Sequence, residues 1–442
     1  MWGIFLGLAL LMFLAYRGMS IIWVAPITAL VVALTGGLEL LPAYTDTYMT
    51  GFVSFARAWF PVFMLGAIFG KIMDETGAAK AVAHAVVNLI GKKYAILAVV
   101  LSCAVLTYGG ISLFVVVFAI YPLALALFRE ANITRRLIPG AIALGSFTFT
   151  MTALPGSPQI QNLIPIQYFN TTAAAAPIMG LVGALIMLGG GMAWLTYREK
   201  GYNAKGVNFV ELDKVVEAKV EKLPHWGLSL LPLLVVVLTL NIATLMGGAE
   251  KFTEVFGRAP INIIESLVLG ILLAIVLFWK RMPNVVTTIN AGAAGSVLAI
   301  INTSAAVGFG AVVRAVPGFT QLTDAVLGIE GNPLIAEAVA VNILAGATGS
   351  ASGGMGIALA ALGENFVALS ASSGIPLEAF HRIASMSSGG LDTLPHNGAV
   401  LTLLAVTAMT HKDSYLDIFM VATLIPIVSV IVGILMAGVG IL

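Results

Sequence analysis

Long apolar segments recur along nearly the whole chain, and they limit the fold more than any other feature. Segments such as GLVGALIMLGGGMAWLTY and LLPLLVVVLTLNIATLM are close to the roughly 18 residues that an α-helix needs to cross a hydrocarbon core. They lack the dyad alternation of a transmembrane β-strand. Only 10% of the residues are charged, against about 25% in a soluble domain. The sequence therefore predicts an all-α polytopic membrane protein.

Composition and motifs exclude several classes of function. The net charge of +1 gives no indication of a nucleic-acid partner. A single cysteine, Cys103, rules out a disulfide within the chain and offers no metal cluster, so no metal is predicted. The sequence has no Walker-type loop, no zinc-protease motif and no nucleophile motif, which argues against an enzyme and against any cofactor. Residues 2–16 lack the basic start and the cleavage site of a signal peptide, so they are predicted to be a retained helix.

A charged stretch at residues 198–226 divides the chain into two halves whose elements follow the same order, and it is predicted to be a cytoplasmic linker. Each half is predicted to contain scaffold spans, an amphipathic arm, a hairpin, a broken span and a closing span. In the first half, residues 1–197, these are 1–73, 77–91, 94–128, 137–164 and 172–197. In the second half, residues 227–442, they are 227–313, 318–330, 334–371, 382–408 and 415–441.

The two halves can be overlaid so that interrupted positions coincide. Leu154-Pro155 then falls on Leu394-Pro395, and Leu65-Gly66-Ala67 falls nearly in register with Phe309-Gly310-Ala311. Segments broken by glycine and proline at matching positions are the best sequence indication of a transporter site built from inverted repeats. The shared order of elements therefore predicts two related repeats.

The distribution of basic residues indicates how the two repeats lie in the membrane. If each hairpin is re-entrant, each half has five spans, and the second half is inverted relative to the first. Because basic residues favour cytoplasmic loops, the stretch 198–226 is placed inside. That choice puts both termini outside and most of the 22 lysines and arginines inside. The basic residues it leaves outside are Lys251, Arg258, Arg314 and Arg382. The expected location is a bacterial-type inner membrane.

The interrupted segments are the predicted substrate site. Unpaired backbone groups cost several kcal/mol each in hydrocarbon, so irregular backbone survives at membrane depth only beside protein or a wet cavity. Hydroxyls, amides and the N–H groups of restarting helices can bind an anion without a buried charge. Helix packing is the alternative role for each glycine, and a kink is the alternative for each proline. The predicted substrate-binding residues are Tyr108, Gly109, Gly110, Ser112, Thr152, Gly156, Ser157, Thr348, Gly349, Ser350, Ser352, Gly353, Thr393, His396 and Asn397.

Ionisable residues near the second break form a candidate proton site. Asp392 and His396 are four positions apart beside Pro395, and ionisable groups inside a membrane are functional candidates by default. Histidine also titrates in the physiological range. The alternative is a structural contact that only holds the break. Glu337 and Glu364 flank the second hairpin and are expected in solvent at the outer face.

Two long motifs carry a resemblance to a known family. They are GGISLFVVVFAIYPLALALFREANITRRLIPGAIALGSFTFTMTALPGSPQIQN in the first half and LDTLPHNGAVLTLLAVTAMTHKDSYLDIF in the second. The chain resembles the gluconate permease (GntP) family, and especially its D-beta-hydroxybutyrate permease branch, over nearly its whole length. The resemblance implies secondary transport of a small hydroxy-carboxylate, with a coupled proton and the lipid bilayer as further partners.

The same resemblance implies membership of the ion-transporter superfamily, with inverted repeats, a homodimer and elevator-type motion. Related dicarboxylate carriers use Ser-Asn-Thr hairpin ends for sodium. The ends here read Tyr-Gly-Gly-Ile-Ser and Thr-Gly-Ser-Ala-Ser-Gly-Gly instead. Proton coupling is therefore the expectation, with sodium coupling as the alternative. An anion channel is a further alternative, although no continuous polar pore is evident.

Overall fold

The computed structural model describes residues 2–17, 19–210, 222–257, 259–282, 284–321, 332–395 and 397–442. All regular secondary structure in these ranges is helical. The helices of the first half are α1 Trp2–Tyr16, α2 Ile21–Thr35, α3 Leu40–Glu75, α4 Ala78–Ile90, α5 Ala95–Tyr108, α6 Leu113–Glu130, α7 Ile138–Ser146, α8 Phe149–Thr152, α9 Ile160–Phe169 and α10 Pro177–Ala204. Those of the second half are α11 Trp226–Leu245, α12 Ala249–Phe256, α13 Ile263–Phe278, α14 Val285–Ala315, α15 Pro333–Thr348, α16 Ala351–Ser373, α17 Leu377–Ser388, α18 Gly398–Val406 and α19 His411–Gly438.

Helix length and composition confirm a multi-pass membrane protein. Within the described residues, eight helices are long and apolar enough to cross a membrane. Many of their large apolar side chains are exposed on the outside of the protein, as on α13 and α19. In a soluble protein such contiguous exposure would be unfavourable, but lipid covers it in a membrane protein.

One group of helices packs around the pair α3 and α14. These two long helices lie against each other, α2 packs on α14, and α13 packs on α3. At one end of the group α1 packs on α2, and at the other end α11 packs on α13. Small residues allow the close approach, since a Cβ on Gly292 of α14 would lie 2.7 Å from the Ile68 Cα of α3. The spans predicted to form a scaffold are thus in contact across the two halves.

A second group contains the two hairpins and the broken segments. In each half, the first hairpin arm packs on the helix before the break: α5 on α7, and α15 on α17. The second arm packs on the helix after the break of the other half: α6 on α18, and α16 on α9. The long helices α10 and α19 pack together. Each hairpin therefore contacts both halves of the chain.

Several element bounds differ from the sequence-based ones. Helix α10 continues to Ala204, inside the stretch predicted to be a linker, because the polar residues after Leu195 extend the helix beyond the apolar run. The second hairpin arms, α6 and α16, are each long enough by themselves to cross a membrane. Helix α4 and the segment Lys92–Tyr108 meet at a bend of 106°. Most of the arm predicted at residues 318–330 lies outside the described residues.

Candidate functional site

The turn of the first hairpin, residues 109–112, lies against the first break, which is residues 153–159 between α8 and α9. Gly110 has a φ of +97°, which lets the chain reverse tightly after α5. The Tyr108 hydroxyl donates to the Pro155 carbonyl at 2.9 Å. From the other side, the Gln159 amide donates to the Thr107 carbonyl at 2.6 Å. The two side chains thus join the turn to the break in both directions.

The first break is held by hydrogen bonds to nearby backbone carbonyls. Gly156 has a φ of +76°, and its N–H donates to the Ala173 carbonyl at 2.8 Å. The buried Ser157 hydroxyl donates to the Thr150 carbonyl at 2.9 Å. The Thr152 hydroxyl donates back to the Thr148 carbonyl at 3.1 Å. These predicted site hydroxyls are engaged inside the break.

The turn of the second hairpin, residues 349–350, meets the second break, between α17 and α18, through Asn397. Its amide nitrogen donates to the carbonyls of Gly349 at 2.9 Å and Asp392 at 2.8 Å. Its amide oxygen accepts from the N–H groups of Ala399 at 2.6 Å and Val400 at 2.9 Å. One side chain therefore caps α18 and joins the hairpin to the break.

The remaining predicted residues of the second half lie in the same turn and break. Ser350 caps α16, since its hydroxyl accepts from the Gly353 N–H at 3.1 Å. Thr348 donates to the Leu344 carbonyl at 2.9 Å, and Ser352 is buried in the first turn of α16. Thr393 shares a 2.7 Å hydrogen bond with Thr423 of α19. His396 lies outside the described residues.

Sequence reasoning missed a buried arginine between the two breaks. Arg382 was assigned to the outer side of the membrane, but its side chain on α17 is fully buried. Its Nη1 donates at 3.1 Å to the Ala153 carbonyl, and its Nη2 donates at 2.7 Å to the Ala175 carbonyl. The amide oxygen of Asn162 accepts from Nη1 at 2.9 Å. The first break is therefore built around a guanidinium from the other half.

A neighbouring histidine joins the same cluster. His381 Nδ1 lies 2.6 Å from the Thr171 hydroxyl, and its Nε2 lies 3.3 Å from the Asn162 amide oxygen. Because that oxygen can only accept, Nε2 carries a proton, and in the neutral ring Nδ1 accepts from the threonine hydroxyl. The available sequence signal was the adjacent pair His381-Arg382 in the segment before the second break. An ionisable pair there is a candidate by the same rule that selected Asp392.

Some buried side chains carry polar atoms that have no hydrogen-bond partner within the described residues. They include the Thr107 hydroxyl beside the first turn, one carboxylate oxygen of Asp392, and both carboxylate oxygens of Glu337. Glu337 was expected in solvent but is fully buried, because its face of α15 packs inside the helical hairpin. Glu364 is exposed as expected. Unpaired buried polar atoms are costly, so they mark positions where a ligand or proton can bind.

The structure brings each hairpin turn to the break of its own half, and it brings the two breaks together through α17. The Ser385 hydroxyl of α17 donates to the Thr152 carbonyl at 2.7 Å. Among the described residues, no hydrogen bond directly links the two hairpin turns. The candidate site is thus a continuous series of contacts. It runs from the first hairpin turn through the first break, α17 and the second break to the second hairpin turn.

Replacing Asn397 by alanine should lower the thermal midpoint in detergent and reduce uptake more than replacing Asn284. Asn284 caps α14 with its amide oxygen alone, so N284A should cost about 1 kcal/mol of stability. N397A removes a comparable cap and also leaves the carbonyls of Gly349 and Asp392 unpaired. The buried carbonyl of Asp392 alone should cost about 1–3 kcal/mol. Equal midpoints for the two variants would show that Asn397 acts only as a cap. Thermal unfolding with an uptake assay makes this comparison.

Comparison with solved structures supports the fold. The chain is similar to the crystal structure of the Alcanivorax borkumensis YdaH transporter, which was described as having an unusual topology. The TM-score is 0.57 with 14% sequence identity, and the match covers 90% of this chain and 88% of that one. At this identity the similarity concerns the fold alone.

Sequence comparison shows the family. An uncharacterized transporter, YxjC of Bacillus subtilis, is 46% identical over 444 residues, covering 94% of each chain. The high-affinity gluconate transporter of Escherichia coli is 23% identical over 288 residues, covering 62% of this chain and 61% of that protein. The sequence model described as GntP family permease matches residues 1–439. The chain is a transporter rather than an enzyme, and it belongs to the GntP permease family.

Proposed function

We propose that this protein is a secondary transporter of a small hydroxy-carboxylate, of the gluconate or 3-hydroxybutyrate type, driven by proton symport. Relatives named as a gluconate permease and a high-affinity gluconate transporter support this substrate class. Within the structure, the observation that carries the proposal is that both hairpin turns end at broken helices. Such a junction offers polar backbone at membrane depth, where a carrier needs it.

Two helix starts at this junction remain open to an anion. The starts of α16 and α18 are capped by Ser350 and Asn397, whereas those of α6 and α9 have no side-chain cap. The two uncapped starts are adjacent, since the Gln159 amide lies 3.5 Å from the Ile111 carbonyl. Free N–H groups and the positive end of the helix dipole favour a carboxylate there.

The proposed binding site keeps the residues predicted from the sequence, with different roles for different members. Ser112 and the N–H groups after it meet the carboxylate, and the unpaired Thr107 hydroxyl contacts a substrate hydroxyl. Residues whose side chains are already bonded within the protein, such as Ser157 and Asn397, shape the site through their backbone. The buried Asp392, together with His396, carries the coupled proton.

The reciprocal packing of the hairpins supports an arrangement of two inverted repeats. Each second arm contacts the other half's restarted helix, as a two-fold relation would require. In the proposed elevator motion, the hairpins and broken segments move together against α3, α14 and their neighbours. We place the protein as a homodimer in a bacterial inner membrane, with residues 198–226 inside and both termini outside.

Proteoliposome uptake tests the substrate class and the coupling ion together. Labelled gluconate should accumulate under an imposed pH gradient, and replacing sodium by choline should not change it. Glucose, which is neutral but similar in size, should not compete. If accumulation required sodium and did not change with the pH gradient, sodium coupling would be established instead.

The variants Asp392→Asn and His396→Ala assign the coupling residues. Each should reduce gradient-driven accumulation by about tenfold or more, while exchange of internal for external substrate continues, because exchange needs no net proton transfer. Glu364→Gln is the control, since Glu364 is an exposed carboxylate of α16. Unchanged proton-dependent uptake in both D392N and H396A would overturn this assignment.

A further inference from the structure

A cavity of about 260 Å³ lies between the two groups of helices, away from the hairpin turns. Four helices line it: α3, α14, α9 and α16. Their polar and aromatic contributions are Ser54, Trp59, Gln167, Tyr168 and Arg314. The volume is near the lower end of small-molecule pockets, which begin at about 300 Å³. It is therefore suited to a molecule the size of a small organic acid.

The cavity carries one cation and no carboxylate among its described lining residues. Arg314 lies at the end of α14, is exposed, and uses its Nη1 to donate to the Ala360 carbonyl of α16 at 2.6 Å. The other donors of the guanidinium fork can bind an anion. The Gln167 amide and the Tyr168 hydroxyl add neutral hydrogen-bonding groups on α9. This donor set suits a hydroxy-carboxylate.

The corresponding position of the first half is closed. The alignment that matches Leu65-Gly66-Ala67 with Phe309-Gly310-Ala311 makes Gly70 of α3 the equivalent of Arg314 of α14. A Cβ on Gly70 would lie 3.3 Å from Val115 Cγ2 and 3.7 Å from Ile111 Cγ2. The Val115 side chain of α6 therefore covers this position of α3, whereas a cavity lies beside Arg314 of α14.

We propose that this cavity is an access site for organic anions, in which Arg314 attracts the carboxylate before it reaches the hairpin turns. The inference deepens the transport function proposed above and rests on it for the identity of the anion. In the topology proposed above, Arg314 and the cavity face the outside. The alternative role of Arg314 is to hold α16 against α14 through Ala360, which needs no anion.

Charge-selective labelling of a cysteine in the cavity separates these roles. The chain's single cysteine, Cys103, is buried, so Ser54→Cys in a Cys103→Ala background gives one accessible thiol in the cavity. Its rates of modification by the anionic reagent MTSES and the cationic reagent MTSET are measured in proteoliposomes. Arg314→Gln should lower the ratio of the MTSES rate to the MTSET rate by about tenfold, because a unit charge within several ångströms changes local ion concentrations by that order.

A second variant and a second position serve as controls. Arg314→Lys keeps the charge, so it should preserve most of the selectivity even if the contact with Ala360 is weakened. Ser372→Cys, also in the Cys103→Ala background, lies exposed at the far end of α16. Its labelling ratio should not respond to Arg314→Gln, because salt screens charges beyond about 8–10 Å. If adding Arg314→Gln left the ratio of the Ser54→Cys variant unchanged, the inference would be overturned.

Protection by substrate distinguishes a failure of this inference from a failure of the proposed function. Gluconate or 3-hydroxybutyrate at saturating concentration should slow MTSES labelling of the Ser54→Cys variant when Arg314 is present, and should lose that effect in Arg314→Gln. Arg314-dependent charge selectivity without protection by either acid would support an anion cavity and contradict the proposed substrate class. If Arg314→Gln does not change the ratio of the MTSES rate to the MTSET rate, the proposed role of the cavity is contradicted, whatever the uptake assay shows.

Discussion

Replacing Arg382 by leucine is expected to remove nearly all uptake and to lower the thermal midpoint in detergent by about 5 °C or more. The guanidinium is fully buried and donates to the carbonyls of Ala153, Ala173 and Ala175 and to Asn162. Leucine fills part of the volume but leaves the carbonyls of Ala153 and Ala175 unpaired, whereas Ala173 still accepts from Gly156 and Asn162 still contacts His381. Each unpaired buried acceptor costs about 1–3 kcal/mol. The combined effect should release the first break from α17.

The variant Arg382→Lys measures how much of this effect depends on the shape of the guanidinium. Lysine keeps the charge but cannot place two parallel donors on separate carbonyls. Its midpoint and uptake should therefore fall between those of wild type and R382L. Arg57→Gln is the matched control, because Arg57 is an exposed arginine of α3. If R382L melted and transported like R57Q, the contacts of Arg382 would not hold the break.

Substituting Gly354 by alanine is expected to prevent the second hairpin from closing. A Cβ on Gly354 of α16 would overlap the backbone nitrogen and Cα of Ala345 on α15. Backbone atoms inside a packed pair of helices cannot move aside as a flexible side chain could. Overpacking of this kind costs about 1–3 kcal/mol or more. The hairpin arms would have to separate, which moves the turn at Gly349 away from Asn397.

The expected result for G354A is a lower thermal midpoint and at least about a tenfold loss of uptake, consistent with that cost. Gly189→Ala provides the control, because Gly189 lies within α10 and an added Cβ meets nothing within 4 Å. An exposed helical glycine replaced by alanine gains up to about 1 kcal/mol of helix stability. G189A should therefore melt at or above the wild-type temperature. Wild-type uptake by G354A would show that the arms can separate without consequence.

Much of the architecture could be predicted from the sequence because membrane helices have a local signal. Each apolar run is recognisable by itself, and glycine and proline mark the interruptions between runs. In the structure, turns at Gly109 and Gly349 and interruptions near Pro155 and Pro395 separate consecutive helices. Element ends were less accurate, as in α10, since a helix can continue beyond the apolar part of its sequence.

The candidate site was predictable as a set of segments but not as a set of side-chain roles. A serine or threonine near a break can donate to a ligand or to a nearby carbonyl, and the sequence is the same in both cases. Ser157, Thr348 and Thr393 proved to be bonded within the protein. Glu337 was expected in solvent because charged residues near a predicted hairpin end usually are, but the packing of α15 buries it.

The sequence by itself determined that the chain lives in a membrane, where its helices break, and which family it resembles, because hydrophobicity and motifs are properties of contiguous residues. Tertiary structure alone decided which groups meet. Arg382 and the Ala175 carbonyl are 207 positions apart, and Arg314 reaches the cavity only because α14 packs beside α16. Hydrogen bonds between such distant residues depend on how helices pack, and no local pattern in the sequence records that packing.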